Sequence, residues 1–284
     1  MKVSIVGCGL IGGSMAMDLK AKSWADECIG VDANPRHADS AMAYGFIDRK
    51  ADLEEAVRSA DVIILAIPVK AISTILPWIL DAINDNQVVI DCGSTKEALC
   101  KAVEDHAMRK QYVAAHPIAG TENTGPSAAF EGLFRNKVNI ICDRENTGAH
   151  AMDIAASMFR ALGMKTIFMN SREHDRHIAY VSHLSHISSF MLGHTVLEIE
   201  KDEKSIFNMA GSGFESTVRL AMSSPQMWTP IFEQNKDNVV RALDEYIQHL
   251  GDFRQLLMEG KTDELSELLL RANQIRRILH KDQR

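Results

Sequence analysis

SIVGCGLIGGS, residues 4–14, is the stretch on which the fold turns. A β-prone run ends at Val6, glycines stand at 7, 9 and 12 in G-x-G-x-x-G spacing, and a helical segment follows. Each glycine has its own task in a dinucleotide-binding turn: Gly7 permits the tight bend, Gly9 lets backbone amides approach a pyrophosphate, and Gly12 lets helix and strand pack closely. The helix N-terminus then faces the phosphates. The spacing also occurs in plain glycine-rich turns, so its surroundings matter. A second β run, CIGVD, ends at Asp32, where a carboxylate would accept hydrogen bonds from a ribose 2′-hydroxyl and repel a 2′-phosphate. Strand, glycine turn, helix, strand and acid in that order read as a Rossmann-type unit that binds NAD. Arg36 is a competing cation for NADP, and a solvated strand-end acid is the alternative reading of Asp32.

Outward from this unit, the first 170 residues alternate short β-rich runs with helices. The runs are KVSIVG, CIGVD, DVIILAI, QVVIDCG, YVAAH, KVNIICD and KTIFM, with helices such as 95–108 and 149–162 between them. Continuous apolar runs of this kind predict a parallel sheet covered on both faces. After Met169 the strand signal stops and helical spacing takes over, first through Val181, Leu184, Ile187 and Met191, then through Val240, Leu243, Ile247, Leu250 and Leu257. The expected organisation is an α/β dinucleotide-binding domain over 1–170 and an all-α domain over 171–284. The spacing from 240 to 257 fits a coiled-coil seam or a core-facing bundle helix, and modestly supports dimerisation.

Composition limits the partners. The chain has 284 residues, 46% hydrophobic and 24% charged, with a formal net charge of −7. That balance argues against a general nucleic-acid or anionic-membrane binder, so an anionic substrate must be met by local cations. The five cysteines are widely spaced with no C-x-x-C pair, which suggests neither a disulfide framework nor a thiolate zinc site. No apolar run approaches the ~20 residues needed to span a bilayer, and no leader precedes the first strand, so a cytoplasmic protein is expected.

In an open parallel sheet, ligands collect outside the carboxyl ends of the strands. VVIDCGSTKEAL ends one strand and begins a helix near Ser94, and YVAAHP ends the next at His116. Ser94 with Glu97 has the S-x-x-E form of a capping box, so helix capping is one reading of the serine. A strand-end imidazole followed by a proline and a polar turn is well placed to face a cleft, and its unperturbed pKa of ~6.5 suits proton transfer. EHDRHIAYVSHLSH carries four histidines. At about 100° per residue from His174, His177 falls near 300°, His183 near 180° and His186 near 120°, so they share no stripe and no metal site is expected. His183 then points into a domain cleft or sits as a satisfied helix histidine. Arg219 and Trp228 flank a Ser-Ser-Pro break, where a surface ion pair and core packing are the plainer readings.

VGCGLIGGS, DVIILAIPV, DCGSTK, HPIAGTE, EHDRHIAYVSHLSH and GFESTVRLAMSSPQMW together resemble the prephenate dehydrogenases of tyrosine biosynthesis, in the family's order and over nearly the full length. The resemblance implies a Rossmann-type domain followed by a helical dimerisation domain, and NAD-dependent oxidative decarboxylation of prephenate to 4-hydroxyphenylpyruvate. Carried over residue by residue, it makes His116 and Ser94 catalytic. It makes Arg219, His183, Glu122 and Trp228 substrate-binding, and Gly7, Gly9, Leu10, Ile11, Gly12, Asp32, Pro68 and Ser94 cofactor-binding. A homodimer is implied. Two positions depart from the family: Ser216 replaces an acid three residues before the arginine, removing an ionic partner, and Ser185 replaces a proline, affecting helix geometry. No fused chorismate mutase segment or ACT domain is expected, which fits a monofunctional enzyme. Arogenate, another hydroxy acid or an imine are alternative substrates, and an NAD-responsive binding protein is the alternative outside enzymes.

Overall fold

The computed structural model describes residues 1–279 and contains one eight-stranded sheet. Its strands are β1 (Lys2–Val6), β2 (Glu27–Val31), β3 (Arg49–Lys50), β4 (Val62–Leu65), β5 (Val88–Asp91), β6 (Tyr112–Pro117), β7 (Val138–Cys142) and β8 (Lys165–Met169). Their spatial order is β3-β2-β1-β4-β5-β6-β7-β8. The first six run parallel. The expectation of a wholly parallel sheet fails at β7, which runs antiparallel to β6 with His116 opposite Ile140, while β8 is parallel to β7. A parallel return needs a crossover element, usually a helix, and between β6 and β7 the chain forms only a 3₁₀ turn at Pro126–Ala128.

The helices of this part are α1 (Leu10–Ala21), α2 (Pro35–Ala43), α3 (Leu53–Ser59), α4 (Val69–Ala82), α5 (Glu97–Ala102) and α6 (Ala149–Ala161). Alternate strand residues serve the two faces, as a period of two requires. Val3, Ile5, Ile64, Ile90 and Val113 pack with Met15, Leu19 and Phe159 of α1 and α6. Ile63, Leu65, Val89, Tyr112 and Ala114 pack with Ile72, Leu76, Ile79 and Leu99 of α4 and α5. Each fully buried aliphatic chain stabilises by about 1.5–3 kcal/mol, which is why the strands read as continuous apolar runs. The helix expected over 95–108 spans only Glu97–Ala102, and its start is set at the site.

The helical elements are α7 (Ser171–Ile178), a π-helical turn at Ala179–His183, α8 (Leu184–Glu200), α9 (Ser212–Val218), α10 (Pro225–Gln234), α11 (Lys236–Met258), α12 (Thr262–Ala272) and α13 (Ile275–Leu279). Asn170 starts α7 by accepting the Glu173 amide at 2.7 Å. The chain divides into two compact units, one ending at Lys236 and one beginning at Asp237. In the first, Trp228 and Ile231 of α10 pack on Val69 of α4. Thr95 Oγ1 donates to Gln234 Oε1 at 2.7 Å, and Gln234 Nε2 donates to Ser73 Oγ at 3.0 Å. These contacts seat the helices beside the strand ends. In the second unit the stripe of α11 stays open to solvent at Ile247, Leu250 and Leu257, each more than half exposed.

Candidate active site

The glycine turn is shaped for a ligand. A Cβ on Gly12 would lie 1.9 Å from the Gly7 carbonyl oxygen and one on Gly7 2.4 Å from the Ala66 oxygen, so helix, turn and β4 approach as closely as backbones can. At Gly9 the first atom a Cβ would meet is 3.9 Å away, which leaves that side clear. Gly9 is the N-cap of α1 and offers no side-chain cap, so the amides of the first turn are free for an anion. Asp32 Oδ2 accepts the Cys8 amide at 2.9 Å and Oδ1 the Asn34 amide at 2.8 Å, which holds the acid beside the turn with lone pairs to spare. Pro68 stands at the N-cap of α4, beyond the end of β4. These residues fit a dinucleotide.

His116 belongs to the same strand parity as Tyr112 and Ala114, so its ring faces α5 and α7 rather than α1. Its Nδ1 lies 2.8 Å from His174 Nε2, and His174 Nδ1 lies 2.7 Å from Asp175 Oδ1. Burial, then the neighbouring His174, Lys96 and His183, holds the His116 imidazole well below its usual value, so it is neutral at pH 7. Ser94 is half-buried and does not cap the following helix. The Asp175 carboxylate, from α7, takes the Lys96 amide at 2.8 Å and the Glu97 amide at 2.9 Å. That long-range cap starts α5 at Glu97 and leaves the serine hydroxyl without a side-chain bond to the described residues.

The π-turn changes the histidine geometry. With 100° per residue, His174 and His183 would lie on opposite sides, yet both are buried, because the wider turn at Ala179–His183 shifts the register of α8 against α7. His183 Nδ1 receives Asn235 Nδ2 at 3.3 Å, and its ring stands edge-on to Trp228, 5.9 Å between centroids. His186 stacks on Trp228 at 3.6 Å. His183 Nε2 and Trp228 Nε1 are buried with no partner among the described residues, two donors that a ligand oxygen would satisfy. Arg219 NH1 donates to Glu122 Oε2 at 2.9 Å. Glu122 lies on the loop that follows β6, so the ion partner missing at Ser216 comes from that loop instead. Ser216 Oγ turns inward to the Gly213 carbonyl at 3.0 Å. Hydrogen bonding to its own amide, then to Arg219, holds the Glu122 carboxyl below the usual range.

Known proteins are similar to this chain over nearly its full length. The family model described as "Prephenate dehydrogenase, nucleotide-binding domain" matches residues 15–168, and "Prephenate dehydrogenase, dimerization domain" matches residues 170–271. The chain belongs to the prephenate dehydrogenase family. It is 30% identical over 283 residues to a cyclohexadienyl dehydrogenase of Zymomonas mobilis, covering 99% of this chain and 96% of that protein. It is 30% identical to a prephenate dehydrogenase of Bacillus subtilis over 93% of this chain and 72% of the other. The crystal structure of prephenate dehydrogenase from A. aeolicus in complex with hydroxyphenyl propionate and NAD+ superposes with a TM-score of 0.91 at 30% identity, covering 98% of each chain. The Synechocystis arogenate dehydrogenase superposes at 0.79 with 26% identity, covering 98% of this chain and 100% of that one.

Within this dehydrogenase, three charged or polar groups unnoticed in the sequence tie the strand ends together. Lys96 is fully buried, is ion-paired to the fully buried Asp91, and donates to the Ala115 carbonyl at 2.8 Å. Tyr112 Oη donates to the other oxygen of Asp91 at 2.5 Å, and the Gly93 amide donates to Asp91 at 2.8 Å. One carboxylate thus joins β5, β6 and the turn carrying Ser94. The available signal was an acid closing the apolar run VVID, with a lysine five residues on. Burial, then the neighbouring Asp91, raises the Cys92 thiol and so disfavours its thiolate.

Burial, the largest influence, lowers His183 from 6.5 to about 4. Above pH 6.5 the ring is neutral folded and unfolded and contributes nothing to pH dependence. Between pH 6.5 and 4 the unfolded chain takes a proton that the folded chain refuses, so stability is lost as pH falls. From pH 7 to pH 5 this ring alone should cost about 2 kcal/mol. Denaturant unfolding of His183→Gln, which has no such proton to gain, should show a pH 7-to-5 loss smaller by that share. An unchanged loss would reassign the acid sensitivity.

Proposed function

We propose that this enzyme oxidatively decarboxylates prephenate to 4-hydroxyphenylpyruvate with NAD, His116 serving as the proton acceptor and Arg219 as the substrate-holding cation. The observation that supports the reading is the Glu122–Arg219 ion pair, which ties the loop that follows the His116 strand to the helical segment carrying Arg219. When bound, the dinucleotide supplies the nicotinamide carbon that takes the hydride. His116, neutral and held at a rigid strand end, accepts the proton of the ring hydroxyl as it becomes a carbonyl. Ser94 orients that hydroxyl or the imidazole. The unpartnered His183 Nε2 and Trp228 Nε1 donate to substrate oxygens, and loss of the ring carboxylate as CO2 leaves the ring aromatic. Leu10, Ile11 and Pro68 would hold the dinucleotide together with Gly7, Gly9, Gly12 and Asp32. The dinucleotide-binding part spans 1–170 and the helical part begins at 171, with residues 280–284 of the expected span outside the described residues. The open apolar stripe of α11 and the matched dimerisation model support a homodimer through the helical part. Among the described residues no helix is long and apolar enough to cross a membrane.

Arg219 is half exposed and its pair with Glu122 is solvent-screened, a contact worth little and readily exchanged for a substrate carboxylate. Arg219→Ala should raise KM by roughly 10- to 100-fold, the loss of about 1.5–3 kcal/mol of charge-assisted binding, with a smaller change in kcat. NADH formation measured with prephenate, then with arogenate and with NADP, tests the function itself. Activity on prephenate with NAD is the expected result, turnover of arogenate alone would move the substrate to the amino analogue, and silence with both would leave an NAD-responsive binding protein.

A further inference from the structure

We infer that His174 and Asp175 are positioning residues that fix the tautomer of His116 and aim its ring, an inference that rests on the role of His116 proposed above. A carboxylate accepts hydrogen bonds and donates none. Asp175 Oδ1 lies 2.7 Å from His174 Nδ1, so that nitrogen carries the hydrogen. In a neutral imidazole the second nitrogen is then an acceptor. That second nitrogen, His174 Nε2, faces His116 Nδ1 at 2.8 Å, so His116 Nδ1 must be the donor. The remaining nitrogen of His116, Nε2, is left with its lone pair, which is the form a proton acceptor requires. With a neutral His174, reversing any link would set two hydrogens or two lone pairs against each other.

The chain is anchored at its far end. Asp175 also receives the Lys96 and Glu97 amides, and its carbonyl accepts Asn235 Nδ2 at 2.7 Å. His174 and Asp175 are both buried, and the two rings meet edge to face at 66°. The carboxylate that orients the base therefore also starts the helix behind Ser94, so acceptor and serine are set from one point. When His116 takes the substrate proton, its Nδ1–H bond to His174 strengthens and the new charge is shared toward Asp175, which offsets the nearby Lys96 cation. Neither residue touches the reacting atoms.

Two isosteric variants separate the positioning role from packing. His174→Asn keeps a donor toward Asp175 and withdraws the acceptor from His116; His174→Gln places an amide oxygen where Nε2 stood. His174→Asn should lower kcat by roughly 10- to 100-fold, part of the ~10²–10⁴ that a positioned base supplies, with KM nearly unchanged. His174→Gln should recover most of that loss. In the double variant His116→Asn/His174→Asn, the second change should cost nothing further. Nitrogen-15 NMR of histidine-labelled protein should show His116 protonated at Nδ1 in the native enzyme and shifted toward Nε2–H in His174→Asn. Equal losses in Asn and Gln, an additive double variant, or an unmoved His116 tautomer would each overturn the inference. Near-native turnover of His116→Asn would instead remove the role proposed for His116, and the NMR result would still report whether His174 sets its tautomer.

Discussion

His116→Asn is expected to lower kcat by roughly 10²- to 10⁴-fold while leaving KM close to native, the pattern of a group that acts in the transition state and adds little to binding. Asparagine keeps the size and a polar end near Nδ1 and removes the nitrogen that would face the substrate. The acid side of the profile follows from the site. Burial and the neighbouring His174, Lys96 and His183 depress the His116 imidazole, so the neutral, active form persists well below pH 6.5. Saturated turnover should therefore stay level through neutrality and fall only at clearly acidic pH, as the ring gains its proton. Steady-state kinetics across pH would check both statements. Near-native turnover in the variant, or a descending limb centred at or above pH 6.5, would remove His116 from the mechanism.

Asp91→Ala is expected to destabilise the fold by about 3–5 kcal/mol, the cost of stranding a buried charge once its partner is gone. Lys96 would keep only the Ala115 carbonyl, and the Tyr112 hydroxyl and Gly93 amide would lose their acceptor. Against a typical total of about 5–15 kcal/mol, such a loss is a large fraction of the stability. Replacing both members of the pair, as in Asp91→Leu/Lys96→Met, should cost far less than the single change, because no charge is then left alone. Denaturant unfolding of the three proteins decides it: a single-variant loss below about 1 kcal/mol would mean that water reaches Lys96.

The nucleotide end was legible because its signals are local. Glycines at fixed spacing, an acid closing the second strand and apolar runs of strand length lie within stretches short enough for backbone geometry to dictate. The chemical end was legible only in part. His116 and Ser94 follow from strand ends, and Arg219 from the family resemblance. The partner of Arg219 is 97 positions away at Glu122, so sequence alone left the arginine without an ion partner once Ser216 stood at the acidic position. Ser94 and Glu97 satisfy the pattern of a capping box, yet Asp175, 79 positions from Lys96, takes the helix amides.

The sequence by itself determined the order of elements, the dinucleotide turn and the family, since hydrophobic period, glycine spacing and strand-end chemistry are encoded within tens of residues. Only the tertiary structure decided the antiparallel entry of β7, the buried Asp91–Lys96–Tyr112 cluster and the Asp175–His174–His116 chain. The antiparallel entry reflects the missing crossover helix. The two clusters join residues distant in sequence, and a π-turn breaks the 3.6-residue period on which the histidine positions would otherwise be read. A helical wheel carries no information about a turn of different width, and a motif carries none about which distant carboxylate will arrive to complete it.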